Sequence, residues 1–220
     1  MKKNMVIWDL DGVIADSEKV WLKNRQNSIN KLFGTNWDFQ TTNKYIGGMS
    51  DKTKRQVLDK LGYVTDDKFW EEQLKIDMEV ASREGLEKIP YVEDIIKKLP
   101  KQCIATGGVK TKTILKLELI GFWNKYFNEK NIFTADMVKN GKPEPDLFLL
   151  AAEKMGEKTK DCVVVEDSIV GIQAAQKAGI DVIAFLGSEM YDNEESFERM
   201  KKTGVKNICF DMKEVEKIIF

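Results

Sequence analysis

Beyond Ile89-Pro90 the chain alternates short, strongly apolar runs with segments of helical texture, and this alternation constrains the fold more than any other feature. Gln102 to Ala105, Ile132 to Thr134, Cys162 to Val165, Val182 to Phe185 and Asn207 to Phe210 read as strands. Helices over Val109 to Ile120, Pro145 to Met155 and Ser168 to Ala178 lie between them, each followed at once by a glycine that can close it. Strands buried on both faces read as continuous apolar runs, and a β/α succession builds a mostly parallel sheet with helices on both faces. The expected fold is therefore α/β with a Rossmann-like sheet.

A further strand, Met5 to Asp9, opens the chain, and the stretch that follows it carries no strand pattern up to Gly85. Trp21, Leu32 and Phe33 suggest one amphipathic helix, with Ser17 as its cap. Val57, Leu58 and Leu61 suggest a second, capped by Ser50 and closed by Gly62. A third is expected from Asp66 to Arg83, with Phe69, Trp70, Leu74, Met78 and Ala81 on its inner face. Residues 1–15 and 87–220 are thus expected to form an α/β core, and residues 16–86 an inserted helical unit.

Composition removes whole classes of chemistry. The chain has no histidine, so Ser-His-Asp and Cys-His catalysis, histidine metal sites and histidine general bases are excluded. Proton transfer falls to carboxylates, lysine, tyrosine or water. Thirty-five basic residues against thirty-six acidic ones imply no preference for nucleic acid or membrane. No apolar run approaches the length of a membrane span, which leads to the expectation of a soluble cytoplasmic protein. A monomer or weak homo-oligomer is expected. Cys103, Cys162 and Cys209 sit inside strand-like runs and read as buried core thiols.

Strand ends carry the residues with chemistry. In Val6-Ile7-Trp8-Asp9-Leu10-Asp11-Gly12 an apolar run ends in two carboxylates, where an open α/β sheet binds its ligands. Thr106-Gly107-Gly108 offers a hydroxyl and then free amides before a helix, a place that suits an anion or a plain threonine-capped turn. Gly141-Lys142-Pro143-Glu144-Pro145 holds a lysine in a constrained backbone ahead of a helix. Glu166, Asp167 and Ser168 follow the Cys162 run, either as helix-capping residues or as two more acids in the same crevice. Four acids together repel unless a cation lies among them, and an oxygen-only donor set points to Mg2+.

Taken in order, these four segments resemble the haloacid dehalogenase superfamily, in the branch of β-phosphoglucomutase and sugar-phosphate phosphatases. Asp9-Leu10-Asp11-Gly12-Val13 is similar to its first motif, Thr106 to its second, Lys142 to its third, and Glu166-Asp167-Ser168 with Gly171 to its fourth. The resemblance implies a Mg2+-dependent phosphoric monoester hydrolase acting on a small phosphorylated metabolite, with residues 16–86 as a cap. It implies that Asp9 is the nucleophile and Asp11 the acid and base. Thr106, Gly107 and Lys142 would hold phosphoryl oxygens, and Asp9, Asp11, Glu166 and Asp167 would form the metal site.

The resemblance extends to the cap. There Tyr45-Ile46-Gly47-Gly48-Met49-Ser50 is similar to the specificity loop, though a plain helix connection fits as well, and Lys44, Lys52, Arg55 and Lys75 are candidate substrate contacts. The mutases of this branch use a histidine on the first cap helix, near which this chain has Trp21, so a phosphatase is expected rather than a mutase. A phosphorylated sugar or sugar acid is the first expected substrate class and a nucleoside monophosphate the second. A catalytically silent binding protein with the same fold is the reading of another class.

Overall fold

The structure is a computed structural model describing residues 3–47, 49, 51–188 and 194–220, without the side chains of Glu18, Lys52 and Glu195. Six strands form one parallel sheet: β1 (Met5–Trp8), β2 (Gln102–Thr106), β3 (Ile132–Thr134), β4 (Cys162–Glu166), β5 (Asp181–Phe185) and β6 (Asn207–Cys209), in the order β3-β2-β1-β4-β5-β6. This is the doubly wound arrangement expected from the alternation. β1 lies at the centre, with Trp8 opposite Ile104 on one side and Val165 on the other.

The helices among the described residues are α1 (Glu18–Phe33), α2 (Phe39–Ile46), α3 (Asp51–Lys60), α4 (Asp67–Glu84), α5 (Val92–Lys98), α6 (Lys110–Leu119), α7 (Asp146–Lys154), α8 (Ile169–Lys177), α9 (Glu194–Lys201) and α10 (Met212–Ile219). Met5, Ile7, Cys103, Ala105, Cys162, Val164, Val182 and Ala184 point to one sheet face and pack with Leu147, Phe148, Ile172 and Ala175 of α7 and α8. The alternate residues face the other side, where Trp8 Nε1 donates to Gln102 Oε1 at 2.9 Å and Gln102 Nε2 to the Ile96 carbonyl of α5 at 2.8 Å. Cys103, Cys162 and Cys209 are buried and unpaired, as expected of core thiols.

The chain divides into two compact units, Met1–Asp16 with Glu87–Phe220, and Ser17–Leu86. At the edge of the first unit, Asp16 N donates to Glu87 O and Ile89 N to Ile14 O, both at 2.9 Å, which ties the outgoing and returning chain segments together.

Four helices, α1 to α4, make up the second unit, and it differs from the expectation in three respects. The segment Phe39–Ile46 is helical, started by Asp38, whose side chain accepts from Thr41 N. Ser17 stands at the start of α1 but makes no capping bond, because its backbone is itself in the helical region, whereas an N-cap bond needs an extended residue. The most deeply buried residues of α4 are Gln73, Asp77 and Ala81, with Phe69, Trp70, Leu74 and Met78 only half buried. Arg25 of α1 explains this polar interior: its guanidinium donates to Gln73 Oε1 at 2.7 Å and to Asp77 Oδ2 at 3.0 Å, and lies 5.3 Å from the Trp70 ring. Ser50, the expected cap of α3, lies outside the described residues, and Gly62 ends that helix at φ +85°.

Candidate active site

β1 and β4 are neighbours, so the residues that follow them emerge side by side. Asp9 continues the ladder one step past β1, its N–H donating to Val165 O at 2.9 Å, and is buried. A carboxylate buried at the end of the central strand needs a counter-charge, and Lys142 supplies it. The ammonium lies 2.6 Å from Asp9 Oδ1, 2.7 Å from Glu166 Oε2 and 3.0 Å from Ala105 O. Three acceptors for three N–H groups fix the lysine head in one place.

Glu166 is engaged at both oxygens. Oε2 accepts from Lys142, while Oε1 accepts from Asp167 N at 3.2 Å, Ser168 N at 3.0 Å and Ser168 Oγ at 2.8 Å. Gly171 makes room for this arrangement, since a Cβ there would fall 2.0 Å from the Glu166 carboxyl. Ser168 also caps α8 through Gly171 N at 3.1 Å.

Asp11 sits in a tight turn in which Gly12 N donates to Ala15 O, and Ile14 N and Ala15 N both donate to Leu10 O. Gly12 has φ +75°, and a Cβ on it would overlap Asp167 Oδ2 at 2.0 Å, so a glycine is required on both counts. The Asp11 carboxylate pairs with the ammonium of Lys116, a buried residue of α6. Sequence reasoning missed Lys116. It lies on the buried face of α6 with Thr113, Leu117 and Ile120, and the sign of it was a lysine at a helical position that should be apolar.

Thr106 ends β2 in register with this group, buried, with its Oγ1 accepting from Gly108 N at 3.2 Å. Gly107 is exposed, and a Cβ on it would meet nothing within 4 Å. Asp9, Asp11, Thr106, Gly107, Glu166 and Asp167 thus lie at the carboxyl ends of β1, β2 and β4 or just beyond them, and Lys142 in the segment between β3 and α7, all in the first unit.

One oxygen from each of Asp9, Glu166 and Asp167 lies within 4.8 Å of the others, and all three residues are buried. Burial, with the negative charges of Glu166 and Asp11, pushes the Asp9 carboxyl up to about 7 against the pull of Lys142. Burial alone would lower the Lys142 ammonium, but the carboxylates of Asp9 and Glu166 outweigh it and hold it above the usual lysine value. Lys142 pairs with Asp9 and Glu166, and Lys116 with Asp11. The donors are all oxygen, so the group suits a hard divalent cation.

In the second unit, Gly47 ends α2 with its N–H bonded to Asn43 O at 2.9 Å, and Lys75 is exposed on α4. Gly48 lies outside the described residues.

The sequence profile of the haloacid dehalogenase-like hydrolases matches residues 6–185, a span running from β1 through β5. The chain belongs to that family. Within it, the probable pseudouridine-5'-phosphatase of Drosophila melanogaster is 29% identical over 191 residues, covering 80% of this chain and 79% of that protein. The hexitol phosphatase A of Escherichia coli is 51% identical over 112 residues, about half of each chain, at 49% and 50%. Among solved structures, a haloacid dehalogenase-like protein of unknown function from Agrobacterium tumefaciens shares the fold, with a TM-score of 0.83, 24% identity, and coverage of 98% of this chain and 97% of that one.

Proposed function

We propose that this haloacid dehalogenase-like hydrolase is a phosphatase that removes phosphate from a small phosphorylated sugar or polyol through an aspartyl-phosphate on Asp9. The observation that carries the reading is the buried Asp9 carboxylate, held at one oxygen by Lys142 beside Asp167. That is what a nucleophile needs when it must approach an anion.

In this mechanism Asp9 attacks phosphorus, forming the P–O bond of an acyl phosphate while the ester P–O bond breaks. Asp11 gives its proton to the departing alkoxide, then takes one from the water that attacks the acyl phosphate, and inorganic phosphate leaves. Thr106 and the Gly107 amide hold phosphoryl oxygens, and Lys142 offsets the charge shared by Asp9 and the phosphoryl group. Mg2+ would be held by Asp9 and Asp167, with the Asp11 carbonyl as a further oxygen. Glu166, its oxygens already taken, would act mainly by fixing Lys142 and the start of α8. When bound, the cation supplies charge neutralisation between nucleophile and phosphate.

The helical unit, Ser17–Leu86, is the part of the chain left to choose the organic portion of the substrate, with Gly47, Gly48 and Lys75 as candidates. The hexitol phosphatase among its relatives supports a sugar or polyol. A screen of hexitol, hexose, pentose and nucleoside phosphates with Mg2+ tests the reading. Phosphate release led by a hexitol or hexose phosphate is expected, and a protein inert toward every phosphate ester would refute it.

A further inference from the structure

We propose that Lys116 is a positioning residue for Asp11, holding the proton-transfer carboxylate in place from the buried face of α6; the proposal rests on the phosphatase reading above. Lys116 is 4% exposed and lies on a helix face shared with Thr113, Leu117 and Ile120. An ammonium there costs several kcal/mol unless it is paired, and an apolar residue would pack at lower cost. Its carboxylate partner is Asp11, which follows Asp9 by two residues. The two buried lysines therefore divide the acids: Lys142 takes Asp9 and Glu166, and Lys116 takes Asp11.

The turn bonds of Leu10, Gly12 and Ala15 fix the Asp11 backbone, leaving its side-chain rotamer as the remaining freedom. The Asp11 side chain is 25% exposed, so packing leaves that rotamer some freedom, and the ion pair with a lysine rooted in α6 restricts it. A group that must meet a leaving oxygen loses about a hundredfold in rate when it is misplaced by about 1 Å. Lys116 need not touch the substrate to matter. It acts through Asp11.

The consequence depends on the leaving group. p-Nitrophenolate leaves without a proton, whereas a sugar alkoxide needs one. In kcat/KM, which reads the steps up to departure of the alcohol, displacing Asp11 should therefore spare the first substrate and slow the second, while hydrolysis of the acyl phosphate is common to both. The test compares kcat/KM for p-nitrophenyl phosphate with that for the hexitol or hexose phosphate the wild type turns over fastest. Lys116→Met is expected to lower the alkyl-to-aryl ratio by about tenfold or more, and Lys116→Arg, which keeps the charge, to restore most of it. In an Asp11→Asn background the same Met substitution should change nothing further, because the path runs through Asp11. Circular dichroism melts establish that each variant is folded.

Equal losses on both substrates, an unchanged or raised ratio, or an added loss in the Asp11→Asn background would overturn the proposal while leaving the phosphatase reading intact. A wild type active on aryl phosphate alone would overturn it as well. A wild type inert toward all these esters would instead overturn the reading on which it rests.

Discussion

The Lys142 ammonium lies 2.6 Å from Asp9 Oδ1, and its other two contacts, Glu166 Oε2 at 2.7 Å and Ala105 O at 3.0 Å, aim it there. Three acceptors converge on one point charge, and a planar guanidinium does not match that geometry. Lys142→Met is expected to lower kcat by about a hundredfold or more, and Lys142→Arg to recover little of it. Steady-state kinetics on p-nitrophenyl phosphate, with melts to establish folding, provide the check. Full activity in the arginine variant would mean that charge alone matters.

The cation is expected to depend on Asp167 more than on Glu166, whose two oxygens are already occupied. Asp167→Asn should raise the Mg2+ concentration for half-maximal activity by about tenfold or more, since a ligand carboxylate is lost. Glu166→Gln should act chiefly on kcat, through Lys142. Activity that persists in excess chelator would contradict the metal site.

Arg25 and Asp77 form an ion pair inside the helical unit, each with a side chain 1% exposed. Removing Asp77 takes the buried counter-charge from the guanidinium and leaves it the half-exposed Asp51 carboxylate at 3.4 Å, a loss that costs up to about 3–5 kcal/mol. Asp77→Leu should therefore lower the stability of the protein by that order, read from urea unfolding. A loss below about 1 kcal/mol, the value of a surface pair, would show that the pair does not anchor this unit.

Glu93 accepts from Lys88, Lys125 and the Tyr126 hydroxyl, and these bonds, in that order, pull its carboxyl from 4.5 down to about 2. A depressed folded-state pKa contributes stability in full above the ordinary value, lost as the pH falls through the folded value. Glu93→Gln should accordingly melt below the wild type at pH 7, with the difference shrinking as the pH drops from 4.5 toward 2. A difference that does not change with pH would mean the charge of Glu93 contributes nothing.

The strands were legible because strands covered on both faces must be apolar throughout, and Asp9, Asp11, Glu166 and Asp167 stood out as charges where those runs stop. The buried face of α4 was not legible, because Gln73 and Asp77 look like surface residues until Arg25, on another helix, is brought to them. Lys116 escaped for the same reason: its partner is 105 residues away in sequence. The helix Phe39–Ile46 was missed because it is only eight residues long, its sequence FQTTNKYI mixes β-branched and polar residues, and its buried positions, Thr42 and Ile46, include a single aliphatic side chain; Asp38 marks its start.

The account stands or falls on a covalent bond between phosphorus and Asp9. Acid-quenching the protein during turnover with Mg2+ and reducing it with borohydride converts an acyl phosphate to an alcohol, which mass spectrometry locates in the peptide containing Trp8-Asp9-Leu10. The account predicts reduction at Asp9 in the wild type and none in Asp9→Asn, with turnover in that variant down by about a thousandfold or more. Turnover that continues in Asp9→Asn, or a trapped phosphate on any other residue, would contradict it.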